Sequence, residues 1–251
     1  FEQVKLFRRS GMNMLAIGDS WGTASNNYFT QIANKLNAKQ LYNYSENGAG
    51  FSRPTSFSDL ATKASIEMSE EEKNNTTLVI LSGGVNDLRY KSSTNYVTLQ
   101  NLVIGTINDI HRFFPNALIV TNLLTFPMFT HDTQNFVWSD LINRAIKQLV
   151  TIPILQIENA KYSITNCRDC WMYEGEYADV NGYLHPNPKG HSILASQIVK
   201  TMLGGGDEVD FTYEYVTCFP TKVNENQYNR IALCKRNGTI YSSGISFTIL
   251  Q

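Results

Sequence analysis

A serine follows a short apolar run near the start of the chain, in Gly18-Asp19-Ser20. The run at 14–17 is typical of a buried strand, and a helical pattern follows at 25–36. A serine at such a strand-to-helix turn places its hydroxyl at the carboxyl edge of the sheet, where backbone N–H groups and the helix dipole converge. Nucleophilic attack on a carbonyl is the chemistry that this position suits. The alternative is that Asp19 and Ser20 only cap the helix, because both residue types favour that position.

Two later stretches also place polar side chains at the ends of patterned segments. The apolar run at 78–81 leads into the glycine-rich turn SGGVND at 82–87, which contains Asn86. Far downstream, His185-Pro186-Asn187 comes just before another helical pattern, at 188–202. A histidine at a loop-to-helix junction could act as the base for a serine hydroxyl.

Together these stretches resemble the SGNH (GDSL-type) hydrolases. Gly-Asp-Ser, Gly-x-Asn-Asp and His-Pro-Asn occur in the order and with the separations of that superfamily. Asn43 and Gly48 stand five apart, as in the second sequence block of the family. The four blocks are spread over residues 12–200, so the resemblance covers most of the chain.

The resemblance implies a serine esterase that forms an acyl-serine intermediate and needs neither a cofactor nor a metal. Ser20 would be the nucleophile and His185 the base. The backbone N–H groups of Ser20 and Gly48 and the side-chain amide of Asn86 would form the oxyanion hole. The three other histidines fit the base less well, because they lie within helical patterns or in a loop without a motif: His111, His131 and His191.

The third member of the triad departs from the family pattern. The family usually has an Asp three residues before its His, and here that position is Gly182. The nearest carboxylate is Asp179, six residues before His185, with Glu176 and Glu174 further away. Three explanations stay open: Asp179 reaches the ring through a longer loop, a backbone carbonyl orients the ring, or the enzyme is impaired. We predict Asp179 as the acid.

The remaining patterns predict an α/β fold. Strands at 40–44, 76–81, 117–123 and 153–157 join the first strand and alternate with helices at 57–68, 99–114, 136–150 and 188–202. The charged stretch at 69–75 and the segments 125–135 and 158–184 are predicted to be loops. This alternation indicates a three-layer α/β/α sandwich with a mainly parallel five-stranded sheet, and the SGNH family has the same flavodoxin-like architecture. The hydrolase domain is expected to span 12–203, after a lead-in at 1–11.

A β-rich extension is predicted at 204–251. The glycine run at 204–206 is typical of a linker, and strands are predicted at 211–218, 230–235 and 239–250. Asn237-Gly238 favours a two-residue hairpin turn. Because the extension is too small for a confident independent core, we expect it to pack on the hydrolase domain or on a second copy in a homo-oligomer.

Composition excludes two classes of partner. The 21 Lys and Arg residues balance 22 Asp and Glu residues, which leaves no basic excess for nucleic-acid binding. No apolar run approaches the ~18 residues of a membrane span. The chain starts at Phe1 and shows no signal-peptide pattern, so we interpret it as an excised domain of a longer protein, with an extracellular, cell-surface or virion-associated location favoured.

The four cysteines leave two alternatives. Cys167 and Cys170 form a C-x-x-C, and Cys218 and Cys234 lie in the C-terminal region. A single C-x-x-C argues against a structural zinc site, which usually has two such pairs. Two local disulfides or four free thiols are both compatible with this spacing.

The substrate prediction rests on the side chains around the expected site. Aromatic residues that suit sugar rings crowd the predicted rim: Trp21, Tyr44, Phe51, Phe126, Phe129, Trp138, Trp171, Tyr173, Tyr177 and Tyr183. No amphipathic lid of the kind a lipase needs is recognisable. The leading hypothesis is therefore hydrolysis of small acyl esters, above all O-acetyl groups on a carbohydrate. The alternatives are a glycan-binding module without turnover, a general short-chain esterase or lipase, and a structural assembly domain.

Overall fold

The computed structural model describes residues 12–90, 95–123, 133–157, 164, 167–174, 183–203, 221–224, 227–236 and 239–248. The chain divides into two compact units, Phe1–Asp207 and Glu208–Gln251.

The first unit is built on a five-stranded parallel sheet. Its strands are β1 Asn13–Gly18, β2 Gln40–Ser45, β3 Thr76–Gly83, β4 Leu118–Leu123 and β5 Ile154–Gln156, in the spatial order β2-β1-β3-β4-β5. Every pairing between neighbours is parallel. All six residues of β1 are buried, as expected for a central strand that is covered on both faces.

Seven α-helices accompany this sheet in the described chain. They are α1 Tyr28–Leu36, α2 Phe57–Glu67, α3 Glu70–Asn75, α4 Val85–Arg89, α5 Tyr96–Phe113, α6 Thr133–Leu149 and α7 Pro188–Met202. No helix in the part of the chain that the structure describes is both long and apolar enough to cross a membrane.

The helices form two layers because alternate residues of each strand face opposite sides of the sheet. Met14 and Ala16 of β1 belong to a core shared with α1 and α7, which contribute residues such as Ile32 and Leu194. Leu15 and Ile17 belong to a second core, to which the helices α2, α5 and α6 contribute Leu60, Val103 and Ile146, among others. The three-layer α/β/α sandwich predicted from the sequence is confirmed.

The sheet brings three turns to one edge. The chain runs from β1 to β2 on one side and then returns to β3 on the other side of β1. Gly18 at the end of β1 lies in register with Ser45 of β2 and with Ser82 of β3. The turns after these three strands therefore meet at the carboxyl edge, where open α/β sheets bind their ligands.

The bounds of the predicted elements agree with the structure to within a few residues; the short helix α4 was not predicted, and one prediction is wrong. The loop predicted at 69–75 is wrong, because this stretch forms the helix α3. Ser69 and Glu72 make a capping box, each side chain accepting from the other's backbone N–H group, and three acidic residues lie in the first turn. Most of the loops predicted at 125–135 and 158–184 lies outside the described residues.

The second unit contains a three-stranded antiparallel sheet. Its strands are β6 Thr221–Asn224, β7 Gln227–Arg236 and β8 Thr239–Thr248. Arg236 pairs with Thr239, so the strands β7 and β8 flank the predicted Asn-Gly turn. The strand predicted at 211–218 and Cys218 lie outside the described residues, whereas β6 was not predicted.

Candidate active site

Ser20 begins a short 3-10 turn that directly follows β1. Its side chain is partly exposed at the carboxyl edge. The turn is closed by a hydrogen bond of its own, in which the N–H of Gly22 donates to the carbonyl of Asp19 at 2.9 Å. The side-chain amides of Asn27 and Asn43 both donate to the carbonyl of Gly22, at 2.8 and 2.9 Å. Ser20 therefore sits on a turn that is held by a hydrogen bond of its own and by side chains from two other segments.

Asp19 lies beneath this turn and is 1% exposed. Its carboxylate accepts from the N–H of Trp21 at 3.0 Å. Burial raises the pKa of Asp19 from 3.8 to about 7, the Trp21 hydrogen bond opposes this rise, and the nearby Asp87 adds to it. Asp19 therefore keeps its proton over much of the acidic range in the folded protein.

We expect Asp19→Asn to change how stability depends on pH. Between about pH 4 and 7, unfolded Asp19 loses its proton while folded Asp19 keeps it, so the free energy of unfolding falls as pH rises. The slope approaches about 1.4 kcal/mol per pH unit and vanishes above the folded pKa. The variant lacks this pH dependence. In urea unfolding, its free energy of unfolding should therefore rise relative to that of the wild type from pH 4.5 to 7.5. Parallel curves for the two proteins would contradict the buried-acid assignment.

His185 is the side chain that the structure places against the serine. Its Nε2 lies 2.8 Å from Oγ of Ser20, across a sequence separation of 165 residues. Its Nδ1 lies 2.8 Å from Oε1 of Glu174. Because a carboxylate only accepts hydrogen bonds, the neutral ring carries its proton on Nδ1, and Nε2 is left to accept from the serine hydroxyl. This is the proton arrangement that a serine nucleophile needs.

Glu174 is oriented by more than the imidazole. Its second oxygen, Oε2, accepts from the backbone N–H groups of Leu184 and His185 at 3.3 and 3.2 Å. The side chains of His185 and Glu174 are each about one quarter exposed, at 24% and 27%. The carboxylate is thus held in one orientation at the edge of the solvent, with its two oxygens bound to different partners.

The chain reaches this geometry because two short segments pair in antiparallel fashion. Trp171 and Pro186 form an antiparallel bridge. The N–H of Met172 donates to the carbonyl of His185 at 3.0 Å, and the same pairing brings Glu174 alongside the ring. The sequence analysis predicted Asp179 as the acid; that residue lies outside the described part of the chain. Glu174 is further from His185 in sequence, and the antiparallel pairing is what brings it to the ring.

The histidine loop ends at the start of α7. The side chain of Asn187 caps this helix by accepting from the N–H of Gly190 at 3.0 Å. His191, one turn into the helix, is 5% exposed and stacks on Tyr28. Burial, and secondarily His185, lower the pKa of His191 to about 4. His191 is therefore a neutral core residue, so of these two histidines only His185 is placed to accept a proton from Ser20.

The other two predicted site residues lie at the same edge. Gly48 follows β2 with φ 79°, a left-handed conformation that favours glycine, and it is exposed. Asn86 lies in α4, just after β3, and is 6% exposed. Its Nδ2 donates to the carbonyl of Ala49 at 2.8 Å, and the amide has a second N–H that this bond does not use.

Asp87 fixes the loop that carries Gly48. It is 1% exposed and accepts from the N–H of Phe51 at 3.0 Å. Its other oxygen accepts from both the N–H and the hydroxyl of Ser52, each at 2.7 Å. Burial raises the pKa of Asp87, while these hydrogen bonds oppose the rise. Asn86 and Asp87 together tie α4 to the loop after β2.

We expect Asp87→Ala to lower kcat by about 10- to 100-fold with a smaller change in KM. The substitution leaves the N–H groups of Phe51 and Ser52 without their acceptor, so the Gly48 loop loses its fixed position. Asp87→Asn keeps one acceptor oxygen, so its kcat should lie between those of the wild type and Asp87→Ala. The measurement is steady-state kinetics on p-nitrophenyl acetate with urea unfolding in parallel. A loss of stability without a fall in kcat would show that the loop is not coupled to the reaction.

Of the seven described aromatic residues of the predicted rim, Tyr44 and Trp138 are partly buried and pack against the second core, and the other five divide into two groups. Trp21, Phe51 and Trp171 are buried, and the rings of the two tryptophans pack edge to face with centroids 5.4 Å apart. Tyr173 is 72% exposed and contacts the partly buried Tyr183, with ring centroids 5.3 Å apart. Phe126, Phe129 and Tyr177 lie outside the described residues. Of the described group, Tyr173 directly precedes Glu174, and Tyr183 lies two residues before His185 in the chain.

Over the described residues, no three His, Cys, Asp or Glu side chains are grouped so that they could hold a metal ion.

The Cys167–Cys170 disulfide lies close in sequence to Glu174. The disulfide alternative for this C-x-x-C is thus the one that the structure contains.

The sequence matches the family model described as the GDSL-like lipase/acylhydrolase family over residues 16–193. The match covers every element from β1 to the first part of α7. No curated protein is similar enough in sequence to count as a match.

Several solved structures share the fold. A family two carbohydrate esterase from Clostridium thermocellum, in complex with cellohexaose, has a TM-score of 0.57 and 17% identity, covering 77% of this chain and 65% of its own. A carbohydrate esterase family 3 protein from Talaromyces cellulolyticus has a TM-score of 0.55 and 15% identity, with 77% and 97% covered. Phospholipase A1 from Streptomyces albidoflavus has a TM-score of 0.54 and 16% identity, with 76% and 99% covered. At these identities the likeness concerns the fold.

Proposed function

Because the chain belongs to the GDSL-like lipase/acylhydrolase family and is thus an ester hydrolase, we propose that it removes small acyl groups, above all O-acetyl groups, from a carbohydrate. Ser20 is the nucleophile, His185 the base and Glu174 the acid of this proposed site. The observation that carries the proposal is the unbroken chain from Ser20 Oγ to His185 Nε2 and from Nδ1 to Glu174, with 2.8 Å at each step.

The proposed reaction has two halves. Oγ of Ser20 attacks the ester carbonyl while its proton passes to Nε2 of His185, and Glu174 stabilises the imidazolium that forms. Collapse of the tetrahedral intermediate transfers that proton to the leaving sugar oxygen and leaves an acyl-serine. Water, deprotonated by the same nitrogen, then attacks the acyl-serine. The acyl–Oγ bond breaks, the proton on Nε2 passes to Oγ of Ser20, and the carboxylic acid is released.

The oxyanion requires donors at the carboxyl edge of the sheet. We assign the backbone N–H groups of Ser20 and Gly48 and the free N–H of the Asn86 amide to this role. Their support is positional, since the three residues follow the three adjacent strands β1, β2 and β3, whose ends are in register. Losing one such donor typically costs about 3 to 4 kcal/mol of transition-state stabilisation.

Two features favour a short acyl group on a sugar over a long acyl chain. Among the large apolar side chains that the structure describes as exposed, only Met172 and Tyr173 lie next to the acid and the histidine in the chain. Two side chains offer little apolar surface for a fatty acid. The exposed face of Tyr173, by contrast, suits the C–H groups of a sugar ring.

The test is acetate release from acetylated xylan, beside hydrolysis of p-nitrophenyl acetate and p-nitrophenyl palmitate. We expect acetate release from the polysaccharide, and a kcat/KM for the acetyl ester at least about 100-fold above that for the palmitoyl ester, because the described side chains beside Glu174 and His185 offer a long acyl chain little apolar contact. Efficient palmitate release would identify a lipase. Hydrolysis of the nitrophenyl ester alone would leave a general short-chain esterase, and xylan binding without acetate release would leave a binding module.

A further inference from the structure

We propose that the Cys167–Cys170 disulfide is a positioning device for the catalytic histidine, so that reducing it disables the active site while leaving the fold intact. The proposal rests on the proposed function, because it assigns His185 and Glu174 to the reaction. Neither cysteine touches the reacting atoms, and both act through the segment that follows them.

The disulfide closes the short turn that precedes the catalytic acid. It links Cys167 to Cys170, at either end of the turn that contains the 3-10 helix Arg168–Cys170. Within it, the N–H of Cys170 donates to the carbonyl of Cys167 at 2.9 Å, and the N–H of Cys167 donates to the carbonyl of Ile164 at 3.0 Å. The sulfur bridge therefore holds together a turn that otherwise rests on a few backbone hydrogen bonds.

This turn contacts the end of the histidine loop directly. The carbonyl of Cys170 accepts from the N–H of Asn187 at 2.8 Å. The side chain of Asn187 donates to the carbonyls of Asp169 and Trp171 at 2.7 and 3.2 Å. A Cβ on Gly190 would lie 2.2 Å from the carbonyl oxygen of Cys170, so the turn and the first turn of α7 are in close contact. A shift of the turn must therefore move the start of α7 or break these bonds.

The same segment continues into the acid. After Cys170, Trp171 bridges to Pro186, Met172 donates to the carbonyl of His185, and Glu174 binds Nδ1. The indole N–H of Trp171 donates to the carbonyl of Ile164 at 2.8 Å, which ties the segment back to the start of the turn. The disulfide therefore lies at one end of a short paired segment, and Glu174, at the other end of this segment, orients the imidazole of His185.

Reduction gives a defined chemical step. A dithiol such as dithiothreitol supplies two electrons and two protons: the S–S bond breaks, Cys167 and Cys170 become thiols, and the dithiol becomes its cyclic disulfide. Cys167 is partly exposed and Cys170 is fully buried, so the attack occurs at the Cys167 sulfur.

The effect should be local. A disulfide that closes so short a loop removes less entropy from the unfolded chain than one that closes a long loop, so it adds less to global stability. A misplaced catalytic group, in contrast, can lower a rate by up to about 100-fold. Since the hydrogen bonds of the turn run to the segment that carries His185 and not to Ser20, the loss should fall on kcat and spare KM.

The experiment compares the oxidised full chain with the same chain after dithiothreitol, with thiols counted by mass spectrometry. We expect kcat on p-nitrophenyl acetate to fall about 10- to 100-fold with KM nearly unchanged, and to recover when oxidised glutathione restores the disulfide. Cys167→Ser combined with Cys170→Ala should be slow with or without reductant. The matched control, Cys218→Ser with Cys234→Ser, should respond to reductant as the wild type does.

Hydrogen exchange at the amides of Met172 and Asn187 gives a readout that does not depend on activity. We expect faster exchange at both amides after reduction, with exchange in β1 and β3 unchanged. Unaltered kcat in the reduced wild type, or unaltered exchange at the two amides, would overturn the proposal. If the oxidised chain hydrolyses no ester, the proposed function fails, and the exchange comparison still decides whether the disulfide fixes the histidine segment.

Discussion

Replacing Ser20 by alanine is expected to abolish ester hydrolysis, lowering kcat by about 10⁴- to 10⁶-fold. The reason is that Oγ of Ser20 lies 2.8 Å from Nε2 of His185 and is, in the proposed reaction, the atom that bonds to the acyl carbon. Without it, only water attack aided by the oxyanion donors remains. The measurement is single-turnover and steady-state kinetics on p-nitrophenyl acetate, together with mass spectrometry of protein treated with a fluorophosphonate.

The fold should survive this change. Ser20 is partly exposed, and the backbone bonds of its turn do not involve the hydroxyl. Ser65→Ala is the matched control, because Ser65 is also partly exposed and its hydroxyl donates to the carbonyl of Thr62 within α2. It should retain full activity. More than about 1% residual activity in Ser20→Ala, or fluorophosphonate on another serine, would place the nucleophile elsewhere.

Glu174→Gln is expected to lower kcat by about 100- to 10,000-fold, the second largest effect. The two oxygens of Glu174 have different partners, and this decides how an amide would sit. Oε2 accepts from two backbone N–H groups, so the oxygen of a glutamine would occupy that place. Its NH₂ group would then face Nδ1 of His185 and donate to it. The ring would carry its proton on Nε2 and could no longer accept from the serine.

This tautomer argument gives a sharper comparison than loss of charge alone. Glu174→Ala leaves Nδ1 free to take either state, so Glu174→Gln should be at least as damaging as Glu174→Ala. Asp179→Asn is the matched acidic neighbour, and we expect it to stay within about threefold of the wild type because Nδ1 is already bound by Glu174. A large fall in Asp179→Asn with a small one in Glu174→Gln would assign the acid to Asp179.

The predictable part of this site depends on local patterns. Ser20 and Asn86 each follow an apolar run that ends in a glycine-containing turn, and strands of that kind end at one edge of a parallel sheet. His185 precedes a helix whose start is marked by Asn187 and Pro188. Because these signals span only a few residues each, the sequence was sufficient to place the strands and helices that carry them.

The position of Glu174 is not a local property. It comes to His185 because Trp171 and Met172 pair with Pro186 and His185, and nothing in the two short segments predicts that pairing. Their side chains have no alternating pattern. The spacing of the family places the acid three residues before the histidine, a position that Gly182 occupies here. Carboxylates before the histidine could have been found from sequence, but choosing among them required the strand register.

The helix α3 was missed for a different reason, since its signal was present. Ser69 and Glu72 have the spacing of a capping box, and the acidic residues that follow suit a helix N-terminus. The stretch was interpreted as a loop because it is strongly charged and has no apolar stripe. It buries no residue, so capping and the helix dipole, rather than packing, explain why it is helical.

The pairing of Ser20 with His185 has a consequence for how activity returns during refolding. It closes a contact across 165 residues, so the chain gains no catalysis from the nucleophile until its distant end has docked. Contacts of such long range carry a large loop-closure entropy and tend to form late. After dilution from denaturant, hydrolysis should therefore recover more slowly than the helical circular dichroism signal. The rate at which activity recovers would then report when α7 packs against the sheet.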